Sequence, residues 1–184
     1  MKTVWILVVA LLSAGVPSNK PAELIKKAKL SLPEAAEKAV PEAKEGTPFS
    51  ARLREEKGRL VYSIGFAQGE KSLRVLIDAS TAEIVSTSTE AKSRSKMISG
   101  VKVAMPKLIE AAVAKVAGKA TRVSYELKKG KPFAEIIVVK DGKLFEVKVD
   151  ATTGQVTKVE EEDDDDDDED DDEDDDDDDE DDDD

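Results

Sequence analysis

Two short stretches, 72 residues apart, constrain this chain more than any other feature. Asp78 to Ile84 reads DASTAEI and Asp150 to Val156 reads DATTGQV. At the same offset Leu73, Val75 and Ile77 fall on Phe145, Val147 and Val149, and Lys57-Gly58-Arg59 falls on Lys129-Gly130-Lys131. With one residue of slippage Leu32, Ala35, Ala36, Ala39 and Val40 meet Met105, Leu108, Ile109, Ala112 and Val113. The body is a tandem duplication, and the repeated unit is the structural unit.

Each unit reads as one helix followed by strands. Ser31-Leu32-Pro33-Glu34 has the form of a capping box with Pro early in the helix. Positions 32, 35, 36, 39 and 40 make a stripe of helical period, and Pro41 is expected to stop the helix at Val40. The second stripe, 105, 108, 109, 112, 113 and 116, runs to Gly118, expected as the C-terminal cap. A short helix is expected over Pro21 to Lys29 with Leu24, Ile25 and Ala28 inward.

The strands alternate. Leu60, Tyr62, Ile64 and Phe66 share one face, as do Leu73, Val75 and Ile77, and Val123, Tyr125 and Leu127. Pro132 to Val139 is more continuously apolar, as expected of a strand covered on both faces. Lys57-Gly58, Gln68-Gly69, Lys129-Gly130 and Asp141-Gly142 mark turns. In the repeated segment Asp is expected to accept backbone N–H bonds, and Gly154 to supply a positive φ. Ala82 takes that place in the first copy, so its turn must differ or be strained.

The predicted fold class is α+β: two tandem units, each one helix packed on an antiparallel meander. The predicted boundaries are a signal peptide over 1–18, a first unit over 19–90, a linker over 91–103, a second unit over 104–159 and a disordered acidic tail over 160–184. The polar run Ser86 to Gly100 reads as the connector.

A helix reading SLPEAAEKA, then hydrophobic strands and a hairpin, then a vDatTGqV-like segment, resembles the PepSY family over roughly residues 30–88 and 103–159. The resemblance implies a helix-plus-sheet fold, export and, in propeptides, a peptidase-inhibiting or chaperone role. It supplies no agreed catalytic residues. With no His the chain has no H-E-x-x-H peptidase motif of its own, so inhibition would act on another chain.

Charge divides the chain sharply. Every residue from Glu160 to Asp184 is Asp or Glu, whereas residues 1–159 hold all 28 Lys and Arg against 17 acids, a net of about +11. Side chains this alike have nothing to bury and repel one another. Three uses of the tail stand open: capture of hard cations, covering of a basic patch on its own body, and docking of cationic proteins. A bland reading, a solubility device, stands beside them.

Hard cations take many oxygen ligands, and dense Asp supplies them without a cage. The candidate metal ligands are Asp163, Asp164, Asp165, Asp166, Asp167, Asp168, Glu169, Asp170, Asp171 and Asp172, with Ca2+ or a similar ion as ligand and no required cofactor. The spacing is not that of an EF-hand.

Without Cys or His, disulfides, thiolate and Ser-His-Asp catalysis and the usual zinc sites fall away. Lys2, the apolar run Val4 to Leu12 and the small residues Ser13, Ala14 and Gly15 read as a secretory signal too short to span a bilayer. The expectation is therefore a periplasmic or secreted, non-enzymatic binding protein with no stable membrane anchoring. Its partners would be hard cations, cationic proteins or a secreted peptidase, and not nucleic acid, which seven aromatics serve poorly.

Overall fold

The computed structural model describes residues 20–162. The predicted signal (1–18) and the tail residues from Asp163 onward lie outside them.

Helices α1 (Pro21–Lys27) and α2 (Leu32–Ala43) lead into strands β1 (Thr47–Glu56), β2 (Arg59–Gln68), β3 (Lys71–Asp78) and β4 (Ile84–Glu90). The second unit repeats the order with α3 (Met105–Val116), β5 (Lys119–Lys128), β6 (Lys131–Lys140), β7 (Lys143–Asp150) and β8 (Val156–Glu162). All eight strands form one antiparallel sheet in the order β4-β3-β2-β1-β5-β6-β7-β8.

The duplication is carried residue by residue. Each strand sits 72 positions from its counterpart and the two long helices sit 73 apart. The extra residue lies in the α2–β1 connection (44–46), which is one longer than the α3–β5 connection (117–118). The register shifts repeat too, between Pro48 and Ser50 and between Ala120 and Arg122. The units join through β1 and β5, where Ala51 pairs with Val123, its own counterpart in the repeat. A local two-fold relation therefore passes through that pair and welds two meanders into one sheet.

Ser31 and Glu34 form the expected capping box, with Ser31 N–H donating to Glu34 Oε2 at 2.8 Å. Pro41 does not end α2, which continues to Ala43. A proline here removes only the bond to the Glu37 carbonyl, and residues 37, 40 and 41 all face solvent, where water can serve that carbonyl. The extra turn buries Ala43, which completes the stripe in place of Val40, 47% exposed. In α3 the left-handed cap is Ala117 (φ 58), not Gly118. Gly118 is required by packing instead: a Cβ there would meet the Val139 carbonyl oxygen and Val138 Cγ1.

Both D-A-[ST]-T-[AG] segments make the same turn. Asp78 Oδ1 accepts from Ser80 and Thr81 N–H at 2.8 and 2.9 Å, and Asp150 Oδ1 from Thr152 and Thr153 at 2.8 and 3.0 Å. Ala82 holds φ 62 where Gly154 holds φ 78, so the first copy keeps the turn at the expense of backbone strain. Ala79 and Ala151, buried behind the turns, accept the N–H groups of Lys29 and Leu30 and of Lys102 and Val103, which ties each helix's approach to its own sheet.

Three further expectations are corrected. Part of the polar run read as connector is strand β4, paired to β3. An edge strand exposed on both faces carries no apolar alternation to betray it. Glu160 to Glu162, read as the start of the tail, belong to β8, where Lys143 bonds Glu161 at 2.5 Å and Lys158 bonds Glu160. Leu127, expected to share a face with Val123 and Tyr125, is 41% exposed where they are buried, because it sits beside the β5–β6 hairpin tip, beyond the core.

The helices cover one face of the sheet. Within that core the two units divide volume in opposite ways. The first pairs large sheet residues, Tyr62 and Phe66, with the helix alanines Ala35, Ala36 and Ala43. The second pairs Ala134 and Val138 at the same sheet positions with Leu108, Ile109 and Val116. A close-packed interior admits either partition, since total volume is what must match.

Candidate functional site

Strand alternation sends Ala51, Leu53, Val123 and Tyr125 into the core. Their neighbours Arg52, Arg54, Arg122 and Ser124 therefore face the other way, onto the side of the sheet without helices. There they line a shallow pocket of about 280 Å³ together with Arg74 of β3 and Arg94 of the 91–103 connection. The chain has six arginines and 22 lysines. Five of the arginines line this pocket and none of the lysines does. The sixth, Arg59, stands 3.8 Å from Asp78.

Arg54 pairs with Glu56 at 2.6 Å and Arg74 with Glu90 at 2.9 Å. Arg52 and Arg122 are cross-strand partners at the junction of the two units. Nε of Arg54 and Nε of Arg94 are buried without a hydrogen-bond acceptor. Guanidinium forks match carboxylate and phosphate oxygens two by two, which an ammonium does not.

The floor of the pocket is built for Phe49. This residue occupies the β1 bulge, and Gly65 leaves room for its ring, since a Cβ there would lie 2.6 Å from Phe49 Cζ. Arg94 stacks over the same ring at 5.8 Å. In the second unit the counterparts are Thr121, which is buried, and Ile137, so no aromatic platform forms there.

Instead, the outer face of the second unit carries an ion triad. Lys148 Nζ lies 2.6 Å from Glu135 and 3.2 Å from Glu126, which also bonds Lys128 at 3.0 Å. Burial pushes the Glu135 carboxyl above its ordinary range, beyond what the Lys148 bond recovers. Burial also works against ionised Glu126, but hydrogen bonds from Glu135, Lys128 and Lys148 outweigh it and bring that group down to about 2. Burial opposes the charge on Lys148 too, and its carboxylate partners hold it protonated. Glu126 therefore adds stability above the ordinary carboxylate pKa that is lost as pH falls toward 2. Lys148 offsets the opposite tendency of Glu135. Lys148→Met is expected to cost about 1–3 kcal/mol at neutral pH, less than a fully buried pair would lose because both carboxylates are partly solvated. The loss should shrink in acid, where Glu135 protonates. Urea unfolding at neutral and acid pH checks this; an equal loss at both would assign the effect to packing.

Asp78 and Asp150 are turn caps, as expected, and their backbone donors hold both carboxyls below the ordinary range. Asp141 and Gly142 form the β6–β7 hairpin turn with φ 53 and 81. Lys128 to Lys131 lie at the β5–β6 tip. The candidate metal ligands Asp163 to Asp172 lie outside the described residues. Among the described residues no three Asp or Glu side chains gather as a metal site would need, and no helix is long and apolar enough to cross a membrane.

The arginine pocket is not among the sites expected from the sequence. The available signal is the residue choice: in a lysine-rich chain, Arg52, Arg54, Arg74 and Arg122 all fall at one alternation phase of their strands.

The two helix-and-meander units coincide with two matches to one family model, over residues 24–87 and 103–160, described as the peptidase propeptide and YPEB domain. The chain belongs to the PepSY family. Both units of this PepSY protein are covered, each from near its long helix to its last strand. No curated protein matches the chain in sequence. Among solved structures it is similar to a protein of Clostridium difficile 630 described as a candidate lipoprotein, at 20% identity over 73% of this chain and 95% of that one, with a TM-score of 0.46. It is similar also to the YpeB C-terminal domain of Bacillus megaterium, at 15% identity over 73% of this chain and 66% of that one, TM-score 0.31. A third is described as a candidate periplasmic protein of Bacteroides eggerthii DSM 20697, at 18% identity over 69% and 84%, TM-score 0.26.

Proposed function

We propose that this PepSY protein is an exported, non-enzymatic binding protein whose open sheet face takes a carboxylate-rich peptide segment. One observation carries the reading: five of six arginines meet in one pocket, with two of them opposed across the strand junction. An anion seated in the pocket would meet several guanidiniums at once, each able to fork onto a carboxylate, and the Phe49 platform would flank the peptide's apolar parts. Export rests on the signal-like start of the chain. The family's description as a peptidase propeptide makes a secreted peptidase one partner to test, through an acidic segment on its surface.

The test uses the full-length chain with Asp and Glu 163–184 changed to Asn and Gln, so that the tail does not compete. A fluorescein-labelled oligoglutamate should bind it with salt-sensitive anisotropy. Adding Arg52→Gln and Arg122→Gln should abolish that binding while leaving the fold intact. Unchanged binding in that variant would remove the pocket from consideration. Tighter binding of a polyphosphate than of oligoglutamate would reassign the ligand class.

A second reading keeps the hard-cation role for Asp163 to Asp172. What favours it is the run of carboxylates at the end of the chain. Calorimetry should show Ca2+ and a trivalent lanthanide binding the native chain at low affinity, and the neutral-tail variant losing nearly all the heat. Equal heats would place the cations on the body.

A further inference from the structure

We infer that the first occupant of the arginine pocket is the chain's own acidic tail, residues 163–184, bound in cis as an internal competitor. The inference rests on the proposed reading of the pocket as a carboxylate site.

Three observations support it. The first is where the tail begins. Glu162 closes β8, one edge of the sheet. From β8 to β1 is four strand spacings, about 19 Å. Glu162 pairs with Leu144, Leu144 with Val139 and Val139 with Lys119, which sets the tail's origin level with the start of β5, three residues from Arg122. The 22 residues beyond Glu162 could span up to about 75 Å if extended. The pocket is therefore well within reach.

The second is charge. All 22 of those residues are carboxylates. The pocket is lined by five arginines and one acid, Glu90. The ends of β5 and β6 on the way add Lys119 and Lys140, both exposed. At physiological salt, charges farther apart than about 8 Å are screened, so contact rather than long-range attraction must hold the tail. A concave wall of guanidiniums over a low-dielectric sheet is where such contact is strongest.

The third is the asymmetry between the two outer faces. Arg54 and Ser63 in the first unit correspond to Glu126 and Glu135 in the second, and Arg74 to Glu146. Arg52, Arg54 and Arg74 lie in the first unit, Arg94 in the connection and Arg122 on β5, whereas at these three positions the second unit, from which the tail leaves, carries acids. Those acids leave less for a polyanion to bind on the outer face of the second unit than the arginines offer at the pocket.

Tethering makes even a weak contact effective, because the tail's local concentration is in the millimolar range. Cations that bind the tail, or an acidic partner that outcompetes it, would open the pocket.

The experiment compares oligoglutamate binding to the native chain and to the neutral-tail variant. The native chain should bind at least about tenfold more weakly, and Ca2+ should narrow the gap. Contact is read separately from a nitroxide on Asp184→Cys, which should broaden the amide signals of Arg52, Ser63 and Ser124 at low salt and not those of α2 and α3. Equal affinity in the two chains, or broadening spread evenly over the body, overturns the inference while the pocket remains a carboxylate site. If neither chain binds oligoglutamate, the reading of the pocket fails, and the inference with it.

Discussion

Gly118→Ala is expected to destabilise the protein by about 3 kcal/mol, near the top of the range for an added methyl in a tight site. Its Cβ would press on the Val139 carbonyl and lie 2.8 Å from Val138 Cγ1. Val139 pairs with Lys119 in the β5–β6 ladder, so the obstructing atom belongs to backbone that cannot retreat without breaking the sheet. Its counterpart Gly46 supplies the control. There a Cβ would meet Gln68 Cγ at 3.0 Å, Phe66 Cβ at 3.1 Å and the Ala43 carbonyl oxygen at 3.2 Å, tight contacts that a small shift relieves, with nothing as close as at Gly118. Gly46→Ala should therefore cost much less. At roughly 2–4 °C per kcal/mol for a chain of this size, thermal unfolding should separate the two variants clearly. Equal losses would mean that the Gly118 contact is softer than its geometry implies.

Tyr62→Ala should cost about 3–5 kcal/mol, as for other large aromatic truncations in a core. Tyr62 is fully buried, and its hydroxyl donates to the Leu30 carbonyl at 2.7 Å, which fastens the α1–α2 connection to β2. Burial pushes the phenol's pKa up, so it remains a donor through all ordinary pH. Tyr62→Phe keeps the ring and should lose only about 1 kcal/mol. The repeat makes a sharper test available. Ala134 already occupies the equivalent site in the second unit, where the helix packed on that strand carries Leu108 and Ile109 in place of the alanines, all three buried. Adding Ala35→Leu and Ala36→Ile to Tyr62→Ala should thus recover part of the loss in urea unfolding. No recovery would show that the two cores do not share an interchangeable volume.

Elements with a buried face and a local signal are legible in the order of residues. The capping box at Ser31, the apolar stripes and the Asp-Gly hairpin each depend on residues a few positions apart. The repeat also exposes the one-residue slippage, which the α2–β1 connection absorbs. Elements lacking a one-sided burial pattern are not legible in this way. Strand β4 is polar on both faces, and Glu160 to Glu162 look like part of an acidic run although β8 recruits them by pairing with β7. Pro41 misleads because its effect depends on which carbonyl it orphans, and that carbonyl faces water.

The chain's local chemistry was enough to establish a duplicated α+β body of net positive charge joined to a polyanion, because periodicity, capping and charge reside in the order of residues. Tertiary structure alone decided that the two meanders merge through Ala51 and Val123, and that arginines scattered from 52 to 122 converge on one pocket. Such convergence follows from strand pairing between distant segments, and pairing across the repeat boundary leaves no mark on the residues nearby.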